Sequence, residues 1–210
     1  LYMEVADVAS GATTVHVSRN TGLADGARLM IAIDSVSATE IIEIDPTGIN
    51  GANNTLTVTR GVLGTTASAI PAGSFAKSYI DSATTSTIDE SGTFAAGDTT
   101  LTIADATGFL SGAFILIGNE ILQVSEVAGN DLTVVRGQYG TSAVNHNDGS
   151  AITQLTDAGD YYLNFFSEGE VLTGGTSAAT VVLNFSQGSS DIINADKFVY
   201  AEGSAGGVYG

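Results

Sequence analysis

The sequence predicts an all-β chain: two tandem small β-sandwich or barrel modules followed by a C-terminal β-hairpin segment. Three observations carry this. A block of sequence recurs once along the chain. Within each block, runs of about five residues rich in Val, Ile and Thr alternate in polarity and are separated by Gly, Asn and Asp turns. Helix signals are weak.

The repeat comes first, because it organises everything else. Gly11–Val17 matches Gly97–Ile103, and Thr21-Gly22-Leu23 matches Thr107-Gly108-Phe109. Glu40–Ile44 matches Glu120–Val124, and Asn54–Gly61 matches Asn130–Gly137. Gly64-Thr65 and Gly73-Ser74 match Gly140-Thr141 and Gly149-Ser150. In the last block, Asn54–Asp81 against Asn130–Asp157, 12 of 28 positions are identical. The offset falls from 86 to 80 to 76, so the first copy carries ten extra residues. They fall near Asp34–Thr39 and Asp45–Asn53, which read as turns. The predicted modules are 1–83 and 84–158, and 159–210 is the C-terminal segment.

Each copy reads as five strands. Thr13–Ser18 and Thr99–Ala104 open the copies, and Arg28–Ile33 and Ala113–Ile117 are short apolar runs. Glu40–Ile44 and Glu120–Val124 alternate, Leu56–Thr59 and Leu132–Val135 follow, and Ser74–Ile80 and Ser150–Leu155 close each unit. Thr65–Ile70 and Thr141–His146 are candidates for one helical turn. Beyond the repeat, Tyr161–Phe166 and Thr180–Phe185 read as strands around Thr173–Thr176, with a last strand at Phe198–Ala201. This piece looks like a half-module that needs a partner.

Composition limits the function. Six Lys and Arg face 23 Asp and Glu, for a net charge of −17. So few cations cannot track a phosphate backbone or an anionic membrane surface, so no nucleic-acid or membrane partner is expected. No apolar run approaches the length of a membrane-spanning helix. The chain has no Cys, which excludes disulfides and thiolate metal sites. Ala, Gly, Ser and Thr supply 98 of 210 residues, yet 43% of the chain is hydrophobic, enough for a sizeable core. The start at Leu1 and the Gly-rich end at Gly203–Gly210 read as a processed chain or a segment of something longer.

Arg60-Gly61 with Gly64-Thr65, and Arg136-Gly137 with Gly140-Thr141, are the most distinctive positions. An Arg at a strand end, in a chain with four other cations, calls for a fixed partner. Its planar fork suits a carboxylate or a cluster of backbone carbonyls. The reading favoured is an Arg pinning its own loop, one per copy; a phosphate site is the competing one. His16 and His146 occupy non-equivalent repeat positions, so no shared catalytic role is expected. His16 reads as exposed on a strand and His146 as part of a turn. No Gly-x-Ser-x-Gly elbow is present. Glu40 and Glu43 read as ordinary solvated carboxylates. The oxygen-rich loops Asp45–Asn54 and Asn145–Asp148 are the places where Ca²⁺ could be held, but neither has the EF-hand ladder, and turn chemistry accounts for them equally well. No catalytic residue, cofactor or metal site is assigned.

The run Leu132-Thr-Val-Val-Arg-Gly-Gln-Tyr-Gly-Thr-Ser-Ala-Val-Asn-His-Asn-Asp-Gly149 resembles a motif recurring in structural proteins of tailed bacteriophages, marine and cyanobacterial ones among them. The copy at Leu56–Gly73 is similar but has Ile70 where the His stands, followed by Pro71. Gly169–Ser177 is similar to Gly-Glu-x-Val-Thr-Gly-Gly-Thr-Ser stretches of virion components. The resemblance implies assembly into a particle.

The expected function is therefore a non-enzymatic virion structural subunit (tail, baseplate, fibre or capsid decoration) acting through many copies of itself, in a virion or outside the cell. Short strands leave sheet edges, and Pro and Lys, which block edges, are nearly absent. Tyr161, Tyr162, Phe165, Phe166, Phe198 and Tyr200 are the candidate assembly contacts. Deleting Tyr161–Gly210 is expected to abolish assembly and leave the repeats folded. An extracellular filament or surface-layer subunit is the alternative. A host- or glycan-adhesion module with an aromatic platform at Tyr161, Tyr162, Phe165 and Phe166 is another.

Overall fold

In the computed structural model the described residues are 3–4, 7–32, 39–52, 54–163 and 165–166. The predicted strands Thr180–Phe185 and Phe198–Ala201, and the insertion at Asp34–Thr39 up to residue 38, lie outside them.

The chain is all-β. Copy 1 supplies β2 (Thr14–His16), β3 (Arg28–Ala32), β4 (Thr39–Asn50), β5 (Thr55–Thr59) and β6 (Phe75–Thr87). Copy 2 supplies β7 (Thr100–Thr102), β8 (Phe114–Ile117), β9 (Glu120–Ala128), β10 (Asp131–Val135) and β11 (Ala151–Tyr162). These form one antiparallel ten-stranded sheet in the order β2-β5-β4-β3-β6-β11-β8-β9-β10-β7. Each copy therefore has the same internal order, and the two meet at β6 and β11. A separate short pair joins β1 (Met3–Glu4) to β12 (Phe165–Phe166).

Alternation explains the strands. In β5, Leu56 and Val58 are buried while Thr57 and Thr59 are exposed, and β10 repeats this with Leu132 and Val134. Inward side chains of copy 1, such as Leu29, Ile42 and Leu56, form one core; Ile115, Leu122 and Leu132 belong to a second. Each such side chain contributes about 1.5–3 kcal/mol on burial.

The outer strands are not open edges. Val17 bridges Leu163 at the end of β11, and Ser18 N–H donates to Tyr162 O at 2.8 Å. Ile103 bridges Ile88 at the end of β6, and Ala104 N–H donates to Thr87 O at 3.0 Å. The sheet thus curls into two closed units, here called barrel 1 and barrel 2. Each is closed by the end of the other copy's last strand. Tyr161 and Leu163 of copy 2 lie in the first core, and Ile88 of copy 1 lies in the second. This corrects the expectation of free edges in the repeats. The expected boundaries at 83/84 and 158/159 both fall inside strands, β6 and β11, and are not joints between modules.

Two local expectations also change. The helical turns lie earlier than predicted, as 3-10 turns at Val62–Gly64 and Gln138–Gly140; residues 65–70 and 141–146 are not helical. The insertion at Asp45–Asn53 is mostly strand, not turn. It lengthens β4 to Asn50, with Ile44 paired to Val58 and Ile49 to Leu56, so the residues between bulge out. Gly48 is required there, because a Cβ would meet Thr57 O at 2.5 Å.

Candidate functional site

The Arg-Gly-x-x-Gly-Thr segments follow β5 and β10 and cap one end of each copy. Arg60 leaves β5 with its guanidinium turned inward, 6% exposed, against Glu40, which is fully buried at the start of β4. Its Nε donates to Glu40 Oε1 at 2.6 Å and its Nη2 to Oε2 at 2.7 Å, a bidentate pair. The remaining N–H groups donate to Ala9 O and Ala12 O at 3.0 Å each and to Ser68 O at 2.6 Å. Glu40 also accepts from Gly61 N–H and Ser68 N–H.

Copy 2 repeats the arrangement. Arg136 donates to Glu120 Oε1 at 2.7 Å and Oε2 at 2.8 Å, and to Ala95 O, Asp98 O and Val144 O. Glu120 accepts from Gly137 and Val144 N–H groups. The sequence reading offered a carboxylate or a carbonyl cluster as the partner of each Arg; both are present. The carboxylates themselves were missed. Glu40 is sealed at 0% exposure and is no solvated residue. The signal was available: Glu40 and Glu120 are acidic residues at equivalent positions of the repeat, as Asp81 and Asp157 are.

The loop beyond each Arg has three positive-φ residues, the last being Gly64 (φ 77°) or Gly140 (φ 78°). Gly61 has φ 62° and Leu63 φ 55°; Gly137 has φ 62° and Tyr139 φ 53°. Leu63 and Tyr139 are side-chain-bearing residues where this costs about 1–2 kcal/mol. What offsets it is their seat. Both pack into a third apolar cluster lying between the copies, with Met30, Ile41, Tyr79, Ile121 and Leu155. Phe114 meets Tyr139 at 4.9 Å and Tyr79 at 5.5 Å between ring centroids, and the Tyr79 and Tyr139 hydroxyls lie 3.0 Å apart. Burial, then that hydroxyl contact, raise the Tyr79 pKa. Thr65 and Thr141 clamp the loop: each hydroxyl accepts from the first apolar residue of the Glu strand, Ile41 N–H or Ile121 N–H at 3.1 Å, and donates back to Val62 O or Gln138 O. Arg, Gly, Gly and Thr thus build a rigid arm that docks one copy on the other.

His146 marks a chemical difference between the two Arg–Glu sites. It is 7% exposed, stacked on Phe94 with 20° between rings, and its Nε2 lies 2.8 Å from Glu120 Oε2. Arg136 lies over the same Phe94 ring, 4.2 Å from its centroid. In copy 1 the pair Phe94–His146 is replaced by Val8–Ile70, with the same backbone bridge. His146 is therefore a packed residue and not a turn residue. His16, expected to be exposed, is half-buried on β2.

Burial pushes the Glu120 carboxyl up, but the donors from Arg136, Val144, His146 and Gly137 outweigh it and hold the pKa below the ordinary Glu value. A carboxylate offers about four lone-pair sites. Glu40 faces four donors, and Glu120 faces four with His146 Nε2 beside them, so the acceptor sites of both carboxylates are taken up inside the fold.

The candidate assembly residues separate. Tyr161 is fully buried in the first core, its hydroxyl donating to Thr21 O at 3.2 Å and to Ala158 O at 3.1 Å, with Arg19 over its ring. It cannot serve as a surface contact or a glycan platform. Tyr162 is 43% exposed and meets Phe75, 40% exposed, edge-to-face at 5.8 Å. Phe165 and Phe166 form β12, and Phe198 and Tyr200 lie outside the described residues. The oxygen-rich loops are engaged internally: Asp45 accepts from Thr59, Asn50 from Ala52 N–H, Asn145 from Ala96 N–H and Asp148 from Glu90 N–H. Among the described residues no group of three or more His, Asp or Glu is placed to hold a metal ion.

No protein-family model matches the chain, and neither curated proteins nor solved structures gave a match.

Proposed function

We propose that this chain is a non-enzymatic structural subunit of a virion that acts by assembling in many copies. The observation that carries this reading is the fate of its chemistry-bearing side chains. The two inward-facing carboxylates and their Arg partners are committed to holding loops, once in each copy, and His146 is committed to the second of them. Among the described residues the large apolar side chains left exposed are the Phe75–Tyr162 pair, Leu110 at 62% exposure, Val135 and Val144. Aromatic residues exposed beside a strand end are contact material for other chains. The net charge of −17 keeps free subunits apart at low salt, and screening relaxes that repulsion.

The test is the size of the purified full chain by sedimentation and electron microscopy, across protein concentration and salt. Regular assemblies that dissolve to monomers in a Phe75→Ser/Tyr162→Ser variant, with the β-sheet spectrum intact, are the expected result. A chain that stays a 21.2 kDa monomer under all conditions overturns the reading. Deleting Tyr161–Gly210 is not a clean test, because Tyr161 and Leu163 belong to the first core. The shape of the native particle separates a virion part from a cellular filament, the second assembly built on the same surface.

A further inference from the structure

The strand that closes barrel 1 does not belong to copy 1. β11 pairs with β8 through Ile152–Leu155, inside copy 2. It then passes a register shift between Asp157 and Gly159, where Gly159 has φ 109° and its N–H bonds Asp157 Oδ1. Its pairing with β6 of copy 1 runs along the whole strand, from Ala151 to Tyr162, but on its other edge the neighbour changes after that break, from β8 of copy 2 to the end of β2 in copy 1. Asp160, Tyr161 and Tyr162 pair with Lys77, Ala76 and Phe75 of β6. Tyr162 and Leu163 bond Ser18, Gly73 and Ser74, and β12 continues onto β1. Tyr161 and Leu163 are both fully buried among copy 1 residues. The segment is thus a short donor strand on a glycine-containing hinge, seated in a slot made by β2 and β6.

We infer that residues Gly159–Leu163 form an exchangeable closing strand, and that the slot in barrel 1 accepts the same segment from a second copy of this chain. The occupant is set by complementarity already seen: the ring of Tyr161, the side chain of Leu163 and the backbone register fit this slot and are carried by every copy. Exchange between identical chains leaves these contacts unchanged and alters only the hinge and the connectivity. Within one chain the tether favours self-closure through its effective concentration. That advantage vanishes when neighbouring subunits are packed together, so the inference rests on the self-assembly reading for its place in the particle. Donation from one chain to the next is a head-to-tail contact, which makes rings or filaments.

The chain has no Cys, so introduced thiols report cleanly. Lys77 and Asp160 are directly opposite on β6 and β11, and both are solvent-accessible. Full-length Lys77→Cys and Asp160→Cys chains are mixed, unfolded, refolded together at high concentration and oxidised. The expected result is a covalent heteropair on a non-reducing gel, about tenfold above a Leu110→Cys plus Asp160→Cys mixture, since only opposed strand positions hold two thiols within bonding distance. Phe75→Cys with Tyr162→Cys is a second pair in the same register, and each variant is checked for its β-sheet spectrum. No heteropair, or an equal yield in the Leu110 control, overturns the inference. Sedimentation of the unmodified chain reports self-assembly separately: heteropairs without assemblies sink the proposed function and keep the exchange, and assemblies without heteropairs do the reverse.

Discussion

Replacing Glu40 by Gln tests whether the Arg loops are held as described. The change keeps the shape of the side chain. It removes the charge facing Arg60 and turns one acceptor oxygen into a donor. If that amide nitrogen stands at the Oε2 position, it opposes Arg60 Nη2 and Ser68 N–H, which now bond that oxygen at 2.7 and 3.0 Å. If it stands at Oε1, it opposes Arg60 Nε and Gly61 N–H. Either way two donors lose their acceptor beside a guanidinium that is only 6% exposed. Breaking a buried pair from one side costs about 3–5 kcal/mol. Domains of this kind have about 5–15 kcal/mol in total. Urea unfolding followed by circular dichroism should therefore show a large fall in the midpoint with an unchanged slope. The double variant Glu40→Gln/Arg60→Met removes the stranded cation as well. What it leaves are the carbonyls of Ala9, Ala12 and Ser68, groups with a second lone pair and a milder penalty. Its cost should fall short of the sum of the two single changes by about 1–3 kcal/mol. A Glu40→Gln cost under about 1 kcal/mol, the level of an exposed ion pair, would refute the reasoning.

Three further outcomes are expected. Glu120 has its folded pKa held below the ordinary Glu value, so its contribution to stability is present above about pH 4.3 and is lost as pH falls through the lower folded value. Urea midpoints measured from neutral to strongly acidic pH should show this loss in the native chain, and Glu120→Gln should lack that component. Gly61→Ala should cost more than Gly137→Ala, because the new Cβ meets Thr65 O at 2.9 Å in the first case and Thr141 O at 3.1 Å in the second; Gly64→Ala, with open space around it and φ 77°, should show only the backbone penalty of about 1–2 kcal/mol. Tyr161→Ala should destabilise the fold by about 3–5 kcal/mol, whereas Tyr162→Ala should change stability by about 0.5 kcal/mol or less, both read by thermal or urea unfolding.

The strands were legible because alternation is a local property. Leu56 and Val58 flanked by Thr residues announce a half-buried strand from five positions alone. The role of Arg60 and Arg136 was also legible, since a scarce cation repeated at a strand end has few uses other than a fixed partner. Glu40 and Glu120 were not. A carboxylate at the start of an alternating strand defaults to solvent, and what reverses that default is an Arg 20 or 16 residues away. His146 was obscured in the same way: Asn-His-Asn-Asp-Gly has turn chemistry, and the ring is sealed by Phe94, far back in the chain. Period-2 patterning says which side of Tyr161 faces a core. It carries no information about which core, and the position of Tyr161 beyond the repeat suggested an assembly contact where the fold has a core residue.

The duplication, the paired Arg arms and the crossed strands are consequences of one arrangement. Two copies that each fold alone would need no arm reaching across, and residues 63 and 139 would have no reason to hold a left-handed backbone. Here both sit in the cluster between the copies, alongside Tyr79 and Leu155 from the very strands that pass from one barrel to the other. Crossing strands need a breach in regular pairing, and each has one: β6 between Asp81 and Thr85, β11 between Asp157 and Gly159. The arms pack on Tyr79 and Leu155 of these strands, and Glu40 and Glu120 fix the base of each arm. The Phe94–His146 pair then has a narrower meaning. It replaces Val8–Ile70 at one base only, so it tunes one arm without changing the arrangement. Exchanging Phe94 and His146 together for Val and Ile should accordingly be tolerated far better than His146→Ile alone, which leaves the Phe94 ring without its stacking partner. Equal costs for the two would mean that the pair is not a unit.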